Sequence, residues 1–220
     1  MSIAVIADIV GSRDLPDRDA AQRAIEGAIA RVEAEHTTSG TLAATVGDEF
    51  QAVYDTLPDA LRSLLLLQLA LPDGIQCRFG IGVGEVGAVD SAQGAISDGP
   101  GWWAARDAIE QVHRMEDRAV PSARTWIVGA PGEDADMAAT ILYANAYLLA
   151  RDEIVGAMSA RARRLTYGRC CGVTQRDLAR AEGITQSAVS QALAGSGAAP
   201  LVAGFHALNA APEQSTGSAR

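Results

Sequence analysis

Lysine is missing from all 220 residues, so each of the 18 basic side chains is an arginine. That excludes a Walker P-loop, a kinase-type nucleotide lysine and Schiff-base or pyridoxal chemistry, each of which needs an ammonium group. Cysteine is scarce as well. Cys77 and the adjacent Cys170 and Cys171 provide neither a disulfide framework nor metal-ligand spacing, so zinc is not expected. No Gly-x-Ser-x-Gly nucleophile elbow occurs. The three histidines, His36, His113 and His206, fall in helical or tail contexts without partners and read as surface residues. Long hydrophobic runs are absent too: the stretch around Leu64-Leu65-Leu66-Leu67 is too short to cross a bilayer, and no basic region precedes an apolar core at the N-terminus. A cytoplasmic protein without membrane contact is the expectation.

What remains is a globular composition, 48% hydrophobic and 20% charged, with room for one ordinary domain and a smaller one. The net charge of −9 is uneven. Residues 1–155 hold 11 Arg against 24 Asp and Glu, a net of −13. Residues 156–197 hold Arg161, Arg163, Arg164, Arg169, Arg176 and Arg180 against Asp177 and Glu182, a net of +4. An acidic body with a basic module is a pattern that meets phosphate.

Thr45-Val46-Gly47-Asp48-Glu49-Phe50-Gln51-Ala52-Val53-Tyr54 organises the N-terminal part. Leu42 to Val46 reads as an entering strand, Gly47-Asp48 as a tight turn, and Phe50 to Tyr54 as the returning strand with the alternation of a half-buried element. Asp48 and Glu49 then sit at the hairpin tip. Upstream, Ile3-Ala4-Val5-Ile6-Ala7 has the continuous apolar character of a strand buried on both faces, and it ends in Asp8-Ile9-Val10-Gly11-Ser12. With those strands as neighbours, Asp8 and Asp48 converge where Mg²⁺ or Mn²⁺ would bind together with substrate phosphates. Taken singly, either motif reads better as a plain turn or a helix cap; together, two acids that follow apolar strands and open into glycine-containing turns point to a site.

Helices are expected over Asp17 to Glu35, from Pro58 to Leu71, over Trp102 to Met115, and from Asp134 as far as Arg164. Gln76 to Val83 and Thr125 to Val128 read as strands, and Val89 to Gly101 as a loop or short hairpin. Gly80, Gly82, Gly84 and Gly87 permit close backbone approach by a ligand or a partner chain. The fold class is α+β, a ferredoxin-like split β-α-β with an antiparallel hairpin at the centre of a mixed sheet and covering helices. A small all-α module follows it.

The first strand with Asp8, the Gly47-Asp48-Glu49-Phe50 hairpin, Arg78-Phe79-Gly80-Ile81-Gly82-Val83-Gly84 and Ala104-Ala105-Arg106 resemble class III nucleotidyl cyclases, and the hairpin also resembles that of diguanylate cyclases. The whole chain is most similar to the SatD family. The cyclase resemblance covers roughly residues 1–130 and implies metal binding by Asp8 and Asp48, with Glu49 beside them and a backbone carbonyl from Ile9. It also implies phosphate stabilisation by Arg106, for which a solvated helix arginine is an equal alternative. Three positions depart from that pattern: Ala44 stands where the family has its purine-selecting lysine, Trp102 at the transition-state asparagine, and about Ala95 at the base-reading aspartate.

Val173 to Leu193 resembles a helix-turn-helix. Thr174 and Thr185 cap the two helices, Gly183 makes the turn, and Val189 and Leu193 face inward. That leaves Gln186, Ser187, Ser190 and Gln191 facing DNA bases, with Arg161, Arg163, Arg164, Arg169 and Arg176 as phosphate contacts. A helical hairpin used for dimerisation is the plainer alternative. The expected domains are a cyclase-like 1–132, a long connecting helix 133–168, the helix-turn-helix 169–197, and a short helix with a disordered tail 198–220. The reading is a homodimeric transcription regulator whose body binds a nucleotide-type ligand with divalent metal. The alternatives are a working nucleotidyl cyclase or transferase, and a scaffold with no ligand.

Overall fold

The computed structural model describes residues 2–36, 39–45, 48–91 and 94–209, with the backbone alone for 88–91 and 94–96. Val46 and Gly47 of the expected hairpin turn, and the tail from 210 onward, lie outside the described residues, as does the side chain of Ala95. In chain order the elements are β1 (Ser2–Ile9), α1 (Arg18–Glu35), β2 (Ala43–Ala44), β3 (Glu49–Tyr54), α2 (Leu57–Ala70) and β4 (Cys77–Gly84). There follow β5 (Gly87–Ser91), β6 (Gly94–Asp98), α3 (Pro100–Glu116), β7 (Thr125–Gly129), α4 (Ala135–Gly156), α5 (Ala160–Cys170), α6 (Gln175–Glu182), α7 (Gln186–Gly195) and α8 (Ala198–Ala207).

The main sheet runs β2-β3-β1-β4-β7, antiparallel except for the parallel β4–β7 pair, while β5 and β6 form a separate hairpin. Its first four strands have the order of a ferredoxin-like split β-α-β unit. One expectation is corrected here: β1, not the hairpin, occupies the centre, and β2 lies at the edge. The reason is burial, because β1 is apolar on both faces. Ile3, Val5, Ala7 and Ile9 pack with α1 and α2, while Ala4 and Ile6 pack with Trp102, Ala105 and Ile109 of α3.

Glycines explain how closely α3 lies on the sheet. A Cβ on Gly82 would stand 1.9 Å from the Gly101 carbonyl oxygen, and one on Gly80 would stand 2.3 Å from that of Ala105. The close approach expected for a ligand or partner chain is therefore made by the protein's own helix. At the other edge, the Asn145 side chain of α4 accepts from the Ile127 N–H at 2.8 Å and donates to the Ile127 carbonyl at 2.9 Å. Those two bonds cover β7 against strand addition.

The helix expected from Asp134 to Arg164 is two helices. α4 stops at Gly156, and Ser159 caps α5 by accepting from the Ala162 N–H at 3.2 Å. The break buries Met158 at 5% exposure. The C-terminal helices also do not stand apart. One continuous buried cluster runs from Ile3 and Val5 through Leu64–Leu67 of α2 and Leu165 of α5 to Val189, Leu201 and Phe205. Among the described residues, no single helix is long and apolar enough to cross a membrane.

Candidate functional site

Asp8 ends β1 on the α3 side, and the sheet register decides its neighbours. It lies opposite Glu49 of β3 and opposite Arg78 of β4. Directly opposed residues share a face, so one acid of the hairpin tip and one arginine flank it. Asp8 Oδ1 accepts from Arg78 Nε at 2.9 Å, and Oδ2 accepts from His113 Nε2 at 2.9 Å. A carboxylate only accepts, so the His113 ring nitrogen that faces it is the donor of this bond.

Arg78 continues the chain of charge. Its Nη1 donates to Glu116 at 2.6 Å, and Arg124 stands 3.1 Å from the other Glu116 oxygen. Burial works against the Arg78 charge, but hydrogen bonds and charge from Asp8 and Glu116 outweigh it and hold the guanidinium above its ordinary value. Arg106 forks onto Glu49, at 2.7 and 3.0 Å. That bidentate pair is the first cause of the raised Arg106 pKa.

Asp8, Glu49, Arg78 and His113 line a cleft of about 640 Å³ with Ile9, Ser12, Arg13, Asp14, Arg18 and Asp48. Asp48 makes no hydrogen bond or ion pair among the described residues. Ile9 reaches the cleft while its side chain stays in the core. The cleft thus gathers Asp8, Ile9, Asp48 and Glu49 as expected, and Arg106 is tied to Glu49 beside them. The sequence had assigned no role to Arg78, His113, Glu116 or Arg124. A charged residue in the buried strand Cys77–Gly84 was a signal for Arg78. The expectation of a partnerless surface histidine is corrected for His113 by its contact with Asp8. It is corrected for His36 too, whose Nε2 lies 2.6 Å from Arg62 Nη2.

At the other end, Thr174 and Thr185 accept from the N–H groups of Asp177 and Ala188, and Gly183 takes the left-handed conformation at φ 65°. Gln186, Ser187, Ser190 and Gln191 are exposed, as is Thr185, while Val189 and Leu193 are buried. The arginines divide. Arg163 is bound to Asp73, Arg164 forks onto Glu182 with Arg161 3.8 Å away, and Arg169 donates to the Val173 carbonyl. Arg176 is exposed and forms no ion pair among the described residues.

The sequence model of the SatD family matches residues 2–201. The chain belongs to the SatD family. No curated protein matches it. Solved structures that align with this SatD chain include a bacterial light-regulated adenylyl cyclase, at 16% identity over 52% of this chain and 40% of that one, TM-score 0.40. The guanylyl cyclase Cya2 aligns at 17% identity over 53% and 70%, TM-score 0.37. The adenylyl cyclase CyaB from P. aeruginosa aligns at 14% over 53% and 81%, TM-score 0.36. The SatD chain spans less than half of the first of these, and likenesses this faint add no argument about its chemistry.

The partners of the acids decide whether they suit a divalent cation. Both oxygens of Asp8 and both of Glu49 already accept from Arg78, His113 and Arg106. Among the described residues, no three His, Cys, Asp or Glu side chains come together as a metal-holding group. As arranged, Asp8 and Glu49 are committed to internal partners in place of Mg²⁺ or Mn²⁺, and of the expected acids Asp48 alone is unengaged among the described residues. Two of the departing positions explain themselves by place: Trp102 is buried on the sheet at 8% exposure and Ala44 is exposed on the edge strand.

Proposed function

We propose that this SatD-family protein is a DNA-binding regulator, with α6 and α7 as a helix-turn-helix and the sheet body as a nucleotide-binding, dimer-forming unit. The observation that carries the reading is the face of α7: Gln186, Ser187, Ser190 and Gln191 are exposed directly after the Gly183 turn, with Val189 and Leu193 buried behind them. A recognition helix meets base edges with its N-terminal residues, and glutamine pairs bidentately with adenine. The charge pattern supports the same side, since a body of net −13 repels phosphate while residues 156–197 carry +4. Arg176, with no ion pair among the described residues, is the foremost phosphate contact. The cleft around Arg13, Arg18 and Ser12 suits a phosphorylated ligand, and its engaged acids favour binding over turnover. A second reading, a metal-dependent nucleotidyl cyclase or transferase regulated through α6 and α7, is favoured by one observation, the Asp48 carboxylate, unpartnered among the described residues, lining the same cleft as Asp8.

Because α5 to α8 share the core, truncation would unfold the protein, and point changes on exposed positions are the discriminating tools. Selection of bound fragments from random DNA by the full-length protein should enrich a roughly palindromic site with half-sites about one helical turn apart. Gln186→Ala or Gln191→Ala should blur that sequence at about 1–3 kcal/mol per lost bidentate contact. Arg176→Ala should weaken all sequences alike and flatten the salt dependence. An unenriched pool, or binding indifferent to all three changes, overturns the reading.

A further inference from the structure

Among the described residues, nothing covers the outer face of α4. The helix buries Asn145, Leu148, Asp152 and Val155 on its inner side, while Leu142 and Tyr143 are 68% and 74% exposed. No charged residue lies between Asp136 and Arg151. Thr140, the exposed hydroxyl of that stretch, donates to the Asp136 carbonyl at 2.8 Å and is thereby turned back on its own helix. An uncharged face with large apolar side chains in solvent marks an interaction surface.

The spacing of the face shows what fits it. Ala135, Ala139, Leu142, Ala146 and Leu149 follow one another at intervals of four, three, four and three residues, the alternation of a coiled-coil seam. All are exposed except the half-buried Leu149, so the seam is turned away from the core and suits a second helix. Charge narrows the choice of that helix. Residues 1–155 carry a net −13, so two copies repel wherever their charges meet, and this face is a place without any. The ends of the seam are acidic, with Asp134 and Asp136 at one and Glu153 at the other, which turns away an anionic membrane surface. The segment after 209, with Glu213, Gln214, Ser215 and Thr216, is too polar to be the cover.

We infer that the outer face of α4 is where two copies of this chain meet, with their helices antiparallel across a two-fold axis. Antiparallel pairing sets Leu142 against Ala146 of the second copy, and Leu149 against Ala139, so each layer joins a large side chain to a small one. Parallel pairing would stack leucine on leucine and alanine on alanine, and would bring the two copies of Asp134 and Asp136 together. The inference rests on the dimer-forming part of the reading above and names the surface that does it.

Sedimentation equilibrium of the full-length protein tests it. The native chain should be a dimer. Leu142→Glu should raise the dissociation constant by about a hundredfold or more, because two unmatched carboxylates enter one interface. Trp103→Glu, at a 60% exposed position on α3, should leave it unchanged. A native monomer overturns both this surface and the dimer reading. A dimer that survives Leu142→Glu, or that both variants dissociate alike, overturns this surface and leaves the dimer reading standing. Should Leu142→Glu fail to fold by circular dichroism, mild oxidation of mixed Ala139→Cys and Leu149→Cys proteins decides. Disulfide-linked dimers of unlike chains, above the level the native protein gives, support the inference. Linkage of like chains, or none above that level, overturns it.

Discussion

The sheet end and α7 treat polar side chains in opposite ways. At the sheet end three acids are answered from within, Asp8 by Arg78 and His113, Glu49 by Arg106 and Glu116 by Arg78 and Arg124, while Asp48 has no partner among the described residues. On α7 the polar groups are uncharged and exposed, and Gln186, Ser190 and Gln191 make no side-chain hydrogen bond among the described residues. The difference is one of desolvation. A charge in a half-buried wall needs a counter-charge, and once matched it is less free to act on a ligand. A neutral amide on a helix surface is held by water and exchanges it readily for a base edge.

The largest test concerns the most deeply buried matched charges. Asp152 compensates Arg151, both side chains being fully buried, and also receives the Gln68 amide and the Arg124 N–H. Asp152→Ala should cost about 3–5 kcal/mol in urea unfolding. A loss as small as that of a surface substitution would break the argument that matching is what holds these charges. Next comes the packing that brings α3 to the acids. Gly82→Ala forces the backbone of α3 away from the sheet and should cost about 1–3 kcal/mol or more, measured in the same way.

A smaller effect sharpens the comparison at the cleft. His113→Ala leaves Asp8 Oδ2 open, and Mn²⁺ affinity measured by calorimetry should rise by up to about tenfold, the upper scale of a charge-assisted bond at a half-exposed site. Unchanged affinity would mean that this contact does not hold the acid back. The smallest effect is in pH. Burial, then the charge of Arg62, holds His36 below its ordinary value of 6.5. The unfolded chain takes up that proton first, so the contribution is complete above 6.5 and is lost as pH falls from there toward the folded value. His36→Gln should flatten this acid slope in thermal unfolding, and an unchanged slope assigns it to other groups.

Much of the local structure was legible because it follows from local chemistry. Asp17, Thr174 and Thr185 cap the helices expected of them, since an N-cap needs only a short acceptor ahead of an amphipathic run. The Gly183 turn and the buried Val189 and Leu193 follow from conformational freedom and periodicity alone. The break after Gly156 escaped, because periodicity on both sides of Met158 suits a helix and only the core decides where that methionine goes.

The sequence by itself thus determined most of the elements, the split β-α-β order and the acids at the strand ends, all properties of short segments. Tertiary structure alone decided what those acids face. Asp8 meets Arg78 because β1 and β4 pair in that register, and it meets His113 because two glycines of β4 let α3 lie close on the sheet. Those partners come from 70 and 105 residues away along the chain. Periodicity reports which face a residue presents but not which residue lies opposite, so ligand-free acids and internally matched acids read alike until the strands are paired.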